Sequence, residues 1–368
     1  FKNFHDAILS YRDLASSYSM TCRMPYTLFT VVMNSMFLLL MPLGMLLIGG
    51  VANGWAVLAD LVFYIFFAPQ LAFMMERLMY AVNAKMEAVE AVKKLEAILK
   101  ESPLPEPAPA DRKSPADSSI SFDNVTFTYD GAARPALMNV RFHLPQGTAY
   151  ALVGPSGGGK STIARLIPRF FDVQEGAVLV GGQDVRSIPA AELMEQISFV
   201  FQEVHLFKKS IRDNIRAARP NATEEEILQA AQLAQCGDIL EKIPGGLDAV
   251  IGSKGVYLSG GEMQRIALAR AILKDAPIVV LDEASSFADP ENEVKIQKAF
   301  EVLMKGKTVL MIAHRLSTVR RMDRILVIKK GVVVEEGKHD ELIEKGGVYA
   351  SMWEEYQSAA QWKVGGEE

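Results

Sequence analysis

The run Tyr150-Ala-Leu-Val-Gly-Pro-Ser-Gly-Gly-Gly-Lys-Ser-Thr162 decides how the larger part of this chain folds. The apolar segment Tyr150-Ala-Leu-Val reads as a strand, and a helical stretch opens where the glycines end. Between them Gly154, Pro155, Ser156, Gly157, Gly158, Gly159, Lys160 and Ser161 fit G-x-x-x-x-G-K-[ST] at every fixed position, with Thr162 next. Small residues let successive backbone N–H groups wrap phosphate oxygens, and the helix start adds the positive end of its dipole. Lys160 is then placed for the β- and γ-phosphates of a nucleotide, and the Ser161 hydroxyl for Mg²⁺. A glycine-rich turn without a ligand is the alternative, and the strand before it and helix after it argue against that.

Outward from this loop, residues 118–368 alternate short β-rich runs with helical stretches. Runs at 127–129, 149–153, 199–201, 278–281, 309–312 and 325–328 read as strands. Ile278-Val-Val-Leu and Val309-Leu-Met-Ile are apolar on both faces, as central parallel strands are. The region is an α/β domain. The first of these two runs ends in Asp282-Glu283, a carboxylate pair suited to metal chemistry: Asp282 for the Mg²⁺ shell, Glu283 to polarise an attacking water.

The other end of the chain is of different character. The 368 residues are 49% hydrophobic and 23% charged with a net charge of −5, which argues against a nucleic-acid partner, and the apolar residues are unevenly spread. No Asp, Glu, Lys or Arg occurs from 24 to 59. Residues 28–48 are enough for a helix of about 31 Å, a bilayer's width, and 55–75 form a second candidate span. Gly49 to Gly54 reads as the turn between them, and Arg12, Arg23, Arg77 and Lys85 at the outer ends place both termini in the cytoplasm. A buried hairpin in a soluble core is the alternative. Asp60, close to the turn, is read as a headgroup-facing carboxylate, and Pro42 and Pro69 as kinks. Leu78, Val82, Met86, Val89, Val92, Leu95 and Leu99 continue the second helix as an amphipathic extension. The proline-rich residues 101–117 end it and separate residues 1–100 from the α/β domain. Cys22 and Cys236 suggest neither a disulfide framework nor zinc spacing. With Phe1 first and no signal-peptide pattern, the chain is expected to be a piece of something longer.

Tyr257-Leu-Ser-Gly-Gly-Glu-Met-Gln-Arg265 resembles the LSGGQ signature of ABC-type ATPases, placed shortly before the 278–282 strand as that family requires. Tyr129 matches the aromatic that stacks on adenine, Gln202 the glutamine loop, Ser286-Phe-Ala-Asp289 the D-loop, and His314 the switch histidine. The resemblance implies a helical membrane hairpin followed by a P-loop NTPase domain with a parallel-sheet core, a β subdomain and a helical signature subdomain. It implies an ATPase using ATP and Mg²⁺. Glu283, His314 and Gln202 would be catalytic, Ser161, Gln202 and Asp282 the metal shell. Ser259, Gly260, Gly261 and Asp289 would bind a partner's nucleotide. Two such halves, identical or related, would pair head to tail in a plasma or inner membrane to move a small molecule across it. The nucleotide domain would be cytoplasmic, and residues 1–99 the base of the fifth helix followed by the fifth and sixth helices of an exporter-type half.

Departures from the family pattern are Glu262 for the signature's glutamine, Ser253 where exporters often carry glutamate, and Phe287-Ala288-Asp289 for A-L-D. The last resembles a siderophore-importing subgroup, which leaves direction open. A soluble ABC-type ATPase that takes no part in transport is the further alternative.

Overall fold

The computed structural model describes residues 2–50, 54–252, 256–282, 290–313 and 316–364. The expected site positions Glu283, Ser286, Asp289 and His314, and the departures at Ser253, Phe287 and Ala288, lie outside the described residues. The chain divides into two compact units, Phe1–Pro103 and Leu104–Glu368.

The first unit consists of two long helices, α1 (Lys2–Gly50) and α2 (Gly54–Lys100). At 1.5 Å per residue each is about 70 Å long, far more than a bilayer needs. Helix α1 runs through Pro25, Pro42 and both Gly49 and Gly50, so the glycines expected in the turn close the helix instead. Helix α2 continues past Pro69 and stops at Lys100, where Ser102-Pro103 forbids another turn. The two helices meet closely at Gly44, where a Cβ would lie 2.5 Å from a methyl of Leu61. Among the described residues α2 is long and apolar enough to cross a membrane, and no side chain of its most apolar stretch is buried in the protein. Trp55, Phe66 and Leu46 are each at least three-quarters exposed, a surface that calls for an apolar surrounding.

The second unit contains two sheets. The smaller has the order β2-β1-β4-β5, from β1 (Ile120–Phe127), β2 (Leu137–Leu144), β4 (Glu175–Val180) and β5 (Gln183–Asp184), all antiparallel. The larger has the order β10-β9-β3-β8-β7-β6. Its strands are β3 (Ala149–Val153), β6 (Ile197–Val200), β7 (Ile278–Asp282), β8 (Thr308–Ile312), β9 (Arg324–Lys329) and β10 (Val332–Gly337). All pair in parallel except the edge strand β10. Every residue of β7 and β8 is buried, the physical counterpart of their two-sided apolar runs.

The antiparallel β2 was not expected from sequence. Met138 and Asn139 are exposed side by side, and register shifts interrupt its pairing with β1, so its alternation is broken. Thr308 ties the sheets together: its hydroxyl meets the Ser118 hydroxyl at 2.9 Å and accepts from the Gly147 N–H at 2.9 Å. The proline-rich segment is anchored too, since the Pro105 carbonyl accepts from buried Arg169 at 2.8 Å and the Ser187 carbonyl from the Lys113 N–H at 2.9 Å.

Helices complete the unit. They are α3 (Lys160–Leu166), α4 (Ala190–Gln196), α5 (Ile211–Arg216), α6 (Glu224–Leu233), α7 (Gly237–Lys242), α8 (Gly260–Lys274), α9 (Pro290–Met304), α10 (Leu316–Val319), α11 (His339–Glu344) and α12 (Val348–Val364). Helix α8 is central to the helical part and packs on α5, α6 and α9. Its Arg265 is fully buried, and its guanidinium donates to both Asp238 carboxylate oxygens (2.6 and 3.1 Å) and to the Gln235 carbonyl. Lys295 reaches the same carboxylate at 2.8 Å.

Partial burial works against the Asp238 charge, but Arg265 and Lys295 outweigh it and hold the carboxyl at about 2. Its ionised form therefore stabilises the fold above the unfolded value of 3.8, and that contribution is lost as pH falls through about 2. Asp238→Ala leaves a buried guanidinium short of its partner and should cost about 2 kcal/mol in urea unfolding of the full chain in detergent at neutral pH. The gap to wild type should narrow between about pH 4 and pH 2; a gap that does not change with pH would refute the ion-pair account.

Candidate functional site

The site begins at the carboxyl end of β3. After Val153 the chain turns through Gly154 at φ +139°, a conformation L-residues rarely adopt, and a Cβ there would collide with the Ile328 carbonyl of β9. Gly159, at φ +109°, caps α3, and a Cβ would lie 2.9 Å from the Ala136 carbonyl. The Gly158 carbonyl accepts from the Gly331 N–H at 2.9 Å, which pins the loop to the β9–β10 hairpin. Lys160 opens α3 with its ammonium donating to the loop's own carbonyls, Gly154 at 2.8 Å and Pro155 at 3.0 Å. Burial pushes its pKa below the ordinary lysine value, while the nearby Asp282 carboxylate pulls in the opposite direction.

Tyr129 lies just beyond β1, and its hydroxyl donates to Thr162 Oγ1 at 3.2 Å. Its ring takes edge contacts from Phe127 and Phe171, with centroids at 4.8 and 5.2 Å, so it is held in a fixed orientation. A cavity of about 350 Å³ is lined by Tyr129, Ala136, Ser156, Gly157, Gly158, Gly159, Lys160, Ser161, Thr162 and Gln202. A larger one, about 930 Å³, brings Ser161 and Gln202 together with Asp282 and the rings of Phe170, Phe199, Phe201 and Phe207. Gln202 is exposed two residues after β6, and Asp282 is the buried last residue of β7. A hydroxyl, an amide oxygen and a carboxylate converging on one cavity form an all-oxygen donor set, which suits Mg²⁺.

Ser259, Gly260 and Gly261 sit elsewhere, at the N-terminus of α8, and line neither cavity. Ser259 is the N-cap. Its hydroxyl oxygen accepts from the Glu262 N–H at 3.3 Å, and its own N–H donates to the Glu262 carboxylate at 2.7 Å. A glutamate at 262 therefore closes a capping box. A Cβ at Gly260 would meet nothing within 4 Å, so the fold of this chain does not itself require glycine there. Among the described residues, no cluster of three His, Cys, Asp or Glu could hold a metal. His143 and His339 are engaged with Ser121 (2.8 Å) and Tyr349 (2.7 Å).

Sequence reasoning missed Phe171, Ala136, Ile328 and Gly331. The signal for the last was available: Lys330-Gly331 joins two strands with φ of +52° and +80°, the pair of positive values that a tight hairpin turn needs.

Residues 137–286 match the family model described as ABC transporter. The chain is 50% identical over 238 residues to the ATP-dependent lipid A-core flippases of Escherichia coli K12 and Shigella flexneri, covering 64% of this chain and 41% of theirs. A solved bacterial Atm1-family ABC exporter with ATP bound superposes with a TM-score of 0.67 at 32% identity. That match covers 96% of this chain, and so takes in the helical unit, and 61% of the exporter. The chain thus spans less than two-thirds of the length of these relatives. They are a flippase and an exporter, so neither the importer expectation drawn from Phe287-Ala288-Asp289 nor the soluble-ATPase alternative fits them.

Gly154→Ala tests the loop. The strained φ and the collision with Ile328 together should raise the Kd of a fluorescent ATP analogue at least about tenfold, by titration. An unchanged Kd would mean that the loop does not hold the phosphates.

Proposed function

We propose that this chain is part of an ABC-type half-transporter, a reading supported by the ABC transporter model match at residues 137–286 and by the Atm1-family exporter that superposes over 96% of the chain. It binds and hydrolyses ATP to move an amphipathic, lipid-like substrate outward across a membrane. The domain limits are residues 1–100, 101–117 and 118–368, with spans at 28–48 and 55–75 in a plasma or inner membrane and the ATPase domain on the cytoplasmic side. The observation that carries this reading is the division of the site. Tyr129, Lys160, Ser161 and Gln202 surround one cavity, whereas Ser259, Gly260 and Gly261 stand apart at an open helix start. A second half-transporter, identical or related, would bring its own signature to this cavity and receive this chain's signature at its own.

In that arrangement Tyr129 stacks on the adenine. Gly154, Pro155, Ser156, Gly157, Gly158, Gly159 and Thr162 form the phosphate cradle, and Lys160 turns from its loop carbonyls to the β- and γ-phosphates. Ser161, Gln202 and Asp282 would hold Mg²⁺, which would supply positive charge beside the transferred phosphoryl group. Glu283 orients and deprotonates the attacking water, His314 hydrogen-bonds the γ-phosphate, and Asp289 lies across the dimer. ATP favours the closed pair, and hydrolysis removes that preference. The lipid-like substrate is supported by the flippase relatives and by the apolar surface of Met41, Phe63, Phe66 and Phe67.

Two variants test the reading in the full-length protein. Glu283→Gln should retain ATP binding and lower turnover by at least about a hundredfold, measured as phosphate release. Gly260→Ala, which the fold accommodates, should leave the melting temperature within about 2 °C and still remove most ATPase activity. Full activity in either variant would sink the corresponding role.

A further inference from the structure

The carboxylate at position 262 raises a physical problem. Glu262 is 7% exposed at the start of α8, beside the Ser259, Gly260 and Gly261 that in the proposed dimer face a partner's nucleotide phosphates. A negative charge in a helix's first turn suits the dipole but repels an incoming polyanion. One carboxylate oxygen, Oε2, is taken by the Ser259 N–H. The other, Oε1, accepts from Lys242 Nζ at 3.0 Å, reaching across from the last residue of α7. Burial alone would raise the Glu262 pKa, but the bonds from Ser259 and Lys242 hold it below the ordinary carboxylate value. The charge is therefore kept, and Lys242 is what offsets it.

We propose that Lys242 is a positioning residue of the signature: its ammonium neutralises Glu262, so that a carboxylate-bearing helix start can receive a nucleotide phosphate. The geometry also assigns the proton of Ser259. Its Oγ accepts from the Glu262 N–H, so its O–H hydrogen points elsewhere and is free to donate to the anion. The capping box fixes the hydroxyl, and Lys242 removes the repulsion. Lys242's side chain is 70% exposed, so it contributes little to packing and its substitution leaves the core of α8 intact.

This rests on the proposed ATPase function, and the experiment separates the two. ATPase kinetics are measured on the full-length protein in detergent at roughly 20 mM and 0.5 M salt. Lys242→Met should raise KM for ATP about threefold to tenfold at low salt, with kcat changed by less than about twofold, and the effect should shrink to under about twofold at high salt. Lys242→Arg should restore KM, and so should the double variant K242M/E262Q, in which no carboxylate remains to be offset. A wild-type KM in K242M, a rise that is independent of salt, or a rise that E262Q does not relieve overturns the assignment while ATPase activity stands. Absence of any hydrolysis sensitive to Lys160→Ala in the wild type overturns the ATPase function and the assignment together.

Discussion

The backbone of residues 154–159 is wedged between two other strand ends, and the nucleotide cavity depends on that wedge. Gly154 passes so close to the Ile328 carbonyl that no side chain fits, while Gly159 passes Ala136 in the same way from the other side. The Gly331 N–H then closes on the Gly158 carbonyl, and the Gly331 carbonyl accepts from the Met138 N–H. Three segments far apart in sequence therefore set one loop. Its N–H groups are fixed before any phosphate arrives, which removes the entropy cost of ordering them on binding.

Buried charge in the α/β unit follows one rule. Lys160 is desolvated, donates to two loop carbonyls and has Asp282 nearby; Arg265 is enclosed and answered by Asp238 with Lys295; Glu262 is shielded and answered by Ser259 and Lys242. In each case hydrogen-bond partners and an opposite charge replace part of the lost water. The first set belongs to the cradle, the second holds the signature helix, and the third sits at its tip. The tip lines neither of the two cavities at the cradle.

The helical unit answers to a different solvent. Among the described residues many of its large apolar side chains are exposed, and the two helices approach closely at Gly44, where absence of a side chain lets Leu61 in. A hairpin whose apolar residues are outside is stable only where the surrounding is apolar, which matches the uncharged run at 24–59.

Sequence alone determined the hairpin, its continuation to Lys100, the α/β class and the position of the cradle. Each is a local property: apolar length, helical period, proline placement, and small residues between a strand and a helix. The two-sided apolar runs of β7 and β8 were legible for the same reason. The broken alternation of β2 hid that strand, and helix stability carried α1 through Gly49 and Gly50, where a turn was expected. Tertiary structure decided what acts at a distance along the chain. It put Phe171 against Tyr129, Ile328 and Gly331 behind the cradle, and Lys242 on Glu262. Such contacts obey no periodicity, because they are set by which surfaces the sheet order brings together, and only the folded chain contains that information.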